Sequence, residues 1–148
     1  MKSITISALA FCLLSFFSCN KLEDKINNTV GDNDEGSITA TINGNAYTAP
    51  TVSAGQSQTS LFFSSSDFSS DEKLSFHIDS YDGTAKTYTI DFYKTTATYS
   101  DKDGNSHQAK SGEITIENAG ATTATGSFSF ETADGISVTN GRFDLNWE

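Results

Sequence analysis

Ser37-Ile38-Thr39-Ala40-Thr41-Ile42-Asn43-Gly44-Asn45-Ala46-Tyr47-Thr48 holds both arms of a β-hairpin. Ile38, Ala40 and Ile42 alternate with Thr39 and Thr41, a period of two that sends successive side chains to opposite faces of a sheet. Asn43-Gly44 follows. A two-residue turn that matches strand twist needs positive φ at both central residues, and Asn-Gly adopts it at the least steric cost. The reading is therefore strand, turn, strand, with one apolar face.

The same grammar extends through the chain. Leu61 and Phe63 form one inward face, Leu74, Phe76 and Ile78 another, and Tyr88, Ile90 and Phe92 a third. Ile114 and Ile116, Phe128 and Phe130, Ile136 and Val138, then Phe143, Leu145 and Trp147 continue it. Between them stand Asp82-Gly83, Asp103-Gly104, Asn118-Ala119-Gly120, Asp134-Gly135 and Asn140-Gly141, all turn chemistry. About eight or nine short strands at near-regular spacing predict an all-β fold, a single antiparallel β-sandwich or a related β-barrel. Residues 36–148 are enough for one such domain. Only Ser66 to Lys73 has room for a helical turn, and Pro50 falls between strands, where it breaks no ladder.

The segment before the domain has a different logic. Lys2 precedes an uncharged apolar run from Ile4 to Phe17 that gives way to Asn20-Lys21-Leu22-Glu23-Asp24. The run is too short for the roughly 20 apolar residues of a membrane span, so residues 1–18 read as a cleavable signal peptide. Phe16-Phe17-Ser18-Cys19 places a small residue directly before a cysteine and resembles the lipobox of bacterial lipoproteins, which makes Cys19 the acylated, palmitate-type anchor. Cys12 is lost with the leader, leaving Cys19 without an internal disulfide partner. Acyl chains contribute about 0.8 kcal/mol per buried methylene, and two or more hold a protein stably on a bilayer.

Residues 19–35 carry the anchor and a tether too polar to offset its own ordering entropy. Lys21 followed by acids resembles the export signal of surface-exposed Bacteroidota lipoproteins. Outer-membrane attachment is the location this implies, with exposure at the cell surface or, if the segment is a plain charged linker, an inward-facing orientation. Loss of Lys2 takes the net charge from −10 to −11, which disfavours nucleic acid and anionic head groups, both bound chiefly through Lys and Arg.

Ile42-Asn43-Gly44-Asn45-Ala46-Tyr47 at the opening resembles a family of small Bacteroidota lipoproteins of unknown function. So do Gly112 to Ile116, Gly126 to Phe130 and Val138 to Asp144 near the close. The likeness spans most of the mature domain and is strongest over its last third. It implies an all-β fold and an envelope location, and it brings no catalytic residues.

Sites are sparse. Asp101-Lys102-Asp103-Gly104-Asn105 offers Asp101, Asp103 and Asn105 to a hard cation. Against the helix-loop-helix calcium pattern Gly104 comes two positions early and Glu113 one late, and a hairpin turn explains the same residues. His77 and His107 lack metal-ligand spacing, and His77, between Phe76 and Ile78 on the outward phase of its strand, is expected to face solvent. Gly55-Gln56-Ser57-Gln58-Thr59 is not a nucleophile elbow. Glu113 with Glu117, and Asp79 with Asp91, fall on the polar phases of their strands, where acids belong without catalysis.

Aromatics give the binding signal. Phe63, Phe76, Phe92, Phe128, Phe130 and Phe143 are assigned to the core by phase. Tyr47, Tyr81, Tyr93 and Tyr99 lie near turns or out of phase, and exposed tyrosine beside Asn and Asp stacks on sugars or serves a protein interface. The expected function is that of a non-catalytic envelope lipoprotein whose domain binds a glycan or an envelope protein, with no cofactor. The alternatives are a small polysaccharide-acting enzyme and a structural accessory subunit of an outer-membrane complex.

Overall fold

The computed structural model describes residues 36–66 and 71–147. The expected signal peptide, Cys19 and the expected tether lie outside the described residues, as do residues 67–70 within the stretch where a helical turn is expected.

Among the described residues ten strands form: β1 (Ser37–Ile42), β2 (Asn45–Thr48), β3 (Thr51–Ser57), β4 (Ser60–Ser66) and β5 (Lys73–Asp79) in the first half. β6 (Lys86–Thr89), β7 (Thr95–Ser100), β8 (Ser106–Ala119), β9 (Thr123–Thr132) and β10 (Ser137–Asn146) make up the second. All pairings are antiparallel and run in the order β2-β1-β10-β9-β8-β7-β5-β4-β3, with β6 also on β8. The chain is all-β, and its architecture is one sheet curled over on itself, so the sandwich and barrel descriptions meet in it.

The curl depends on β8. Its first residues, Ser106 to Gln108, pair with β7, whereas Glu113 to Ile116 pair with β6. Between these segments the register slips at Ala109/Ser111, and Gly112 has φ 143°. A Cβ there would sit 2.3 Å from the Ser129 carbonyl oxygen and 2.6 Å from the Phe130 Cα. Glycine alone fits, and the bend it permits lets one strand belong to both leaves of the sheet.

Side chains from the two leaves meet inside. Phe63 on β4 and Phe76 on β5 stack at 4.6 Å, Phe63 reaches Phe143 on β10 at 4.9 Å, and Phe76 reaches Phe128 on β9 at 4.6 Å. Ile38, Leu61, Leu74, Ile78, Ile114, Ile116, Val138 and Leu145 are fully buried around these rings. Each large apolar side chain contributes about 1.5–3 kcal/mol by leaving water, and each aromatic pair roughly 0.5–1.5 kcal/mol more.

Three expectations are corrected. β3 and β7 escaped the alternation pattern, because β3 carries mostly small residues and has no fully buried position, and because the inward face of β7 is Thr95, Ala97 and Tyr99, with a single large ring. Asn140-Gly141 is a bulge inside β10, with the register shifting between Val138 and Gly141 and Asn140 at φ 52°, so two expected strands are one. Phe92 is 58% exposed, since β6 ends at Thr89 and Asp91 folds the chain into a turn by accepting from the amides of Tyr93, Lys94 and Thr95. By contrast Asn43 (φ 48°) and Gly44 (φ 83°) make the expected left-handed hairpin turn.

Candidate functional site

Antiparallel pairing brings the β1–β2, β7–β8 and β9–β10 turns to one end of the sheet, and side chains lock them together. The Asn43 amide donates to the Ser137 carbonyl at 2.9 Å, and the Ser137 amide returns a bond to Asn43 Oδ1 at 3.0 Å. His107, at the start of β8, bridges the other pair. Its Nδ1 lies 2.5 Å from Asp134 Oδ2 and its Nε2 3.2 Å from Asp101 Oδ2.

Each member of this bridge is held by further bonds. Asp101 Oδ1 accepts from the Asp103 and Asn105 amides at 2.9 and 2.8 Å, and Oδ2 accepts from Asn105 Nδ2 at 2.9 Å. The Asn105 side chain and then the turn amides and His107 hold the Asp101 carboxyl down at about 2. Asp134 accepts from Thr132 Oγ1 at 2.5 Å, and this bond and then His107 keep its pKa low. The His107 pKa is raised, first by Asp134 and then by Asp101. The Tyr99 ring stacks on the imidazole at 5.8 Å and 24°.

Beside this rim is a cleft of about 370 Å³, in the size range of small-ligand sites. Asn43, Asn45 and Tyr47 come from the β1–β2 hairpin, and Glu72, Tyr99 and Asp103 line it from across the sheet. Tyr99 donates to Glu72 Oε1 at 2.8 Å, and Lys102 Nζ stands 3.9 Å from Glu72 Oε2. The Tyr99 hydroxyl is pushed far above its ordinary value by burial and then by Glu72, so it remains a donor at any physiological pH.

The tyrosines expected at the surface separate. Tyr47 and Tyr99 line the cleft but are buried, Tyr47 bonding Ser65 Oγ at 2.6 Å. Tyr81 is 2% exposed and packs beside Tyr88 in the core, whereas Tyr93 is 89% exposed in the β6–β7 turn. No common stacking platform results, because an inward tyrosine near a strand end covers the core with its ring while its hydroxyl finds a polar neighbour. Asp101, Asp103 and Asn105 do share one loop, as a hydrogen-bonded turn with Asp101 at its centre. Among the described residues no group of three or more His, Cys, Asp or Glu is arranged around a metal position.

His77 is exposed as expected, whereas His107 is largely enclosed by its two carboxylates. The acid pairs do not converge. Glu117 bonds Arg142 at 2.6 Å, Asp91 caps its own turn, and Asp79 accepts from the Ser80 amide at 2.9 Å. Sequence reasoning missed Glu72, His107 and Asp134 as a constellation. The available signal was the Asp134-Gly135 turn just after β9, since the pairing of Ala109 on β8 with Thr132 on β9 brings residue 134 level with residue 107.

Comparison with curated proteins and with solved structures finds no match. A family model described as a domain of unknown function, DUF6252, matches residues 34–144, about three quarters of the chain. That span takes in every strand but the last residues of β10 together with the whole rim, and the chain belongs to the DUF6252 family.

Proposed function

We propose that this chain is an outer-membrane lipoprotein, anchored through acylated Cys19, whose β domain binds a neutral glycan segment in the cleft without transforming it. The anchor reading rests on the leader and on the position of Cys19. The binding reading rests on one observation, a cleft whose polar groups are fixed before any ligand arrives. Asn43 is tied to Ser137, Tyr99 to Glu72, and the β7–β8 turn to the β9–β10 turn through His107. A rigid wall of amide and carboxylate groups orders little on binding, which preserves affinity for a ligand that offers many hydroxyls. The surplus of acids repels polyanions and favours a neutral ligand.

A glycosidase reading fits less well. Its general acid needs a raised pKa, and among the described residues the carboxyls displaced from their ordinary value, Asp82, Asp91, Asp101 and Asp134, move downward.

Titration of the isotope-labelled chain from Asn20 to Glu148 with neutral oligosaccharides from bacterial envelopes tests this. Saturable shifts are expected at the amides of Asn43 to Tyr47 and Asp101 to Asn105. Asn45→Ala with Asp103→Ala should weaken binding by about tenfold or more, the loss of one to two hydrogen bonds. Shifts confined to other surfaces, or the double variant binding like the parent, would show the cleft is not the site.

A further inference from the structure

We infer that β3 is a self-association edge, pairing antiparallel with β3 of a second copy to join two domains into one continuous sheet.

Sheet edges carry unpaired backbone groups, and proteins normally blunt them with charge, proline, bulges or short length. β2 and β6 are four residues each, and β6 opens with Lys86. Within its own span β3 carries no charge, no bulge and no proline. It runs seven residues as Thr-Val-Ser-Ala-Gly-Gln-Ser, pairs only with β4, and keeps an unbroken register from Thr51↔Ser66 to Ser57↔Ser60. Pro50 precedes it and none of its residues is fully buried.

The charge pattern points to a second copy as the occupant. Residues 36–66 contain no Asp, Glu, Lys, Arg or His, in a chain of net charge −10. Copies of so acidic a molecule repel one another over most of their surface, and this neutral edge is where they can approach. A partner with a basic strand would instead be matched by acids beside the edge, and β3 and β4 carry none.

Phe62 adds a second observation. It is 50% exposed on β4, directly opposite Gly55, and its ring lies so close over β3 that a Cβ on Gly55 would be 2.4 Å from it. An aromatic ring laid across an edge glycine extends the apolar surface of the sheet to a strand that forms a ladder on one side only. With a two-fold axis through Ala54, Ser53 falls opposite Gly55 of the second copy, and Phe62 covers that row. A single strand pair with one ring on each side buries less than a standard interface, so the dimer is weak in solution.

Sedimentation velocity of the chain from Asn20 to Glu148, between about 10 µM and about 1 mM, reads this directly. A reversible shift from monomer toward dimer is expected over that range, with amide exchange at Ser53 to Gly55 slowing in step. Ser53→Lys places two ammonium groups on one face of the seam and should abolish the shift, with the circular dichroism and melting temperature unchanged. A monomer throughout the range, or a dimer that survives Ser53→Lys with its β3 exchange unaltered, would overturn the inference. If Ser53→Lys unfolds, the concentration dependence of β3 exchange in the parent decides alone.

Discussion

His107 couples the rim to pH. Its raised pKa means that folding favours the imidazolium, so its bonds to Asp134 and Asp101 stabilise fully below the unfolded histidine value of about 6.5 and are lost as pH rises through the folded value. Asp101 and Asp134 have the opposite sign. Their lowered values give stability that is present above the ordinary carboxylate value of 3.8 and is lost as pH falls through the folded ones, about 2 for Asp101. All three contributions therefore coexist between about pH 4 and 6.5. Urea unfolding of the parent should show a decline in stability above that window, and His107→Gln should flatten it. Equal slopes in parent and variant would remove His107 from this role. Little of this was legible in the sequence, where His77 and His107 look alike. One sits on the outward phase of β5 and the other starts β8, and only the pairing of β8 with β9 carries Asp134 to it.

At the level of elements, β8 decides whether the sheet folds over or stays open. Gly112→Ala puts a methyl into the Ser129 carbonyl and the Phe130 backbone at a left-handed φ. Strain of this kind costs about 1–3 kcal/mol, and displacing β9 adds to it, so a loss of about 3 kcal/mol in denaturant unfolding is expected. A variant within about 0.5 kcal/mol of the parent would mean that β8 bends elsewhere. Strands with large alternating side chains, such as β1, β5 and β9, were readable from the sequence because each buries one apolar face. β3 was not, since Val52, Ala54 and Gln56 on one face and Thr51, Ser53, Gly55 and Ser57 on the other show no clear apolar period. Asn140-Gly141 reads equally as a turn or a bulge, as both need a left-handed residue, and only pairing with β9 distinguishes them. The candidate tyrosines were placed near the correct turns, but phase alone does not tell a ring that seals a strand end from one that faces water.

Across the described residues, charge is unevenly spread. Residues 36–66 carry no charged side chain and form the β1–β2 and β3–β4 hairpins, while Glu72, Asp101, Asp103 and Asp134 stand with Lys102 and His107 around the β7–β8 turn and the cleft. The neutral edge is proposed for a second copy and the acidic cleft for a polar ligand. Both proposed roles are played at a membrane, and the proposed attachment depends on Cys19. Mass spectrometry of the protein purified from native membranes measures it directly. The predicted result is an amino-terminal peptide that begins at Cys19 and carries acyl chains on its sulfur, with Cys19→Ser protein leaving the membrane fraction. An amino terminus elsewhere, or an unmodified Cys19 in protein that still sediments with membranes, would contradict it.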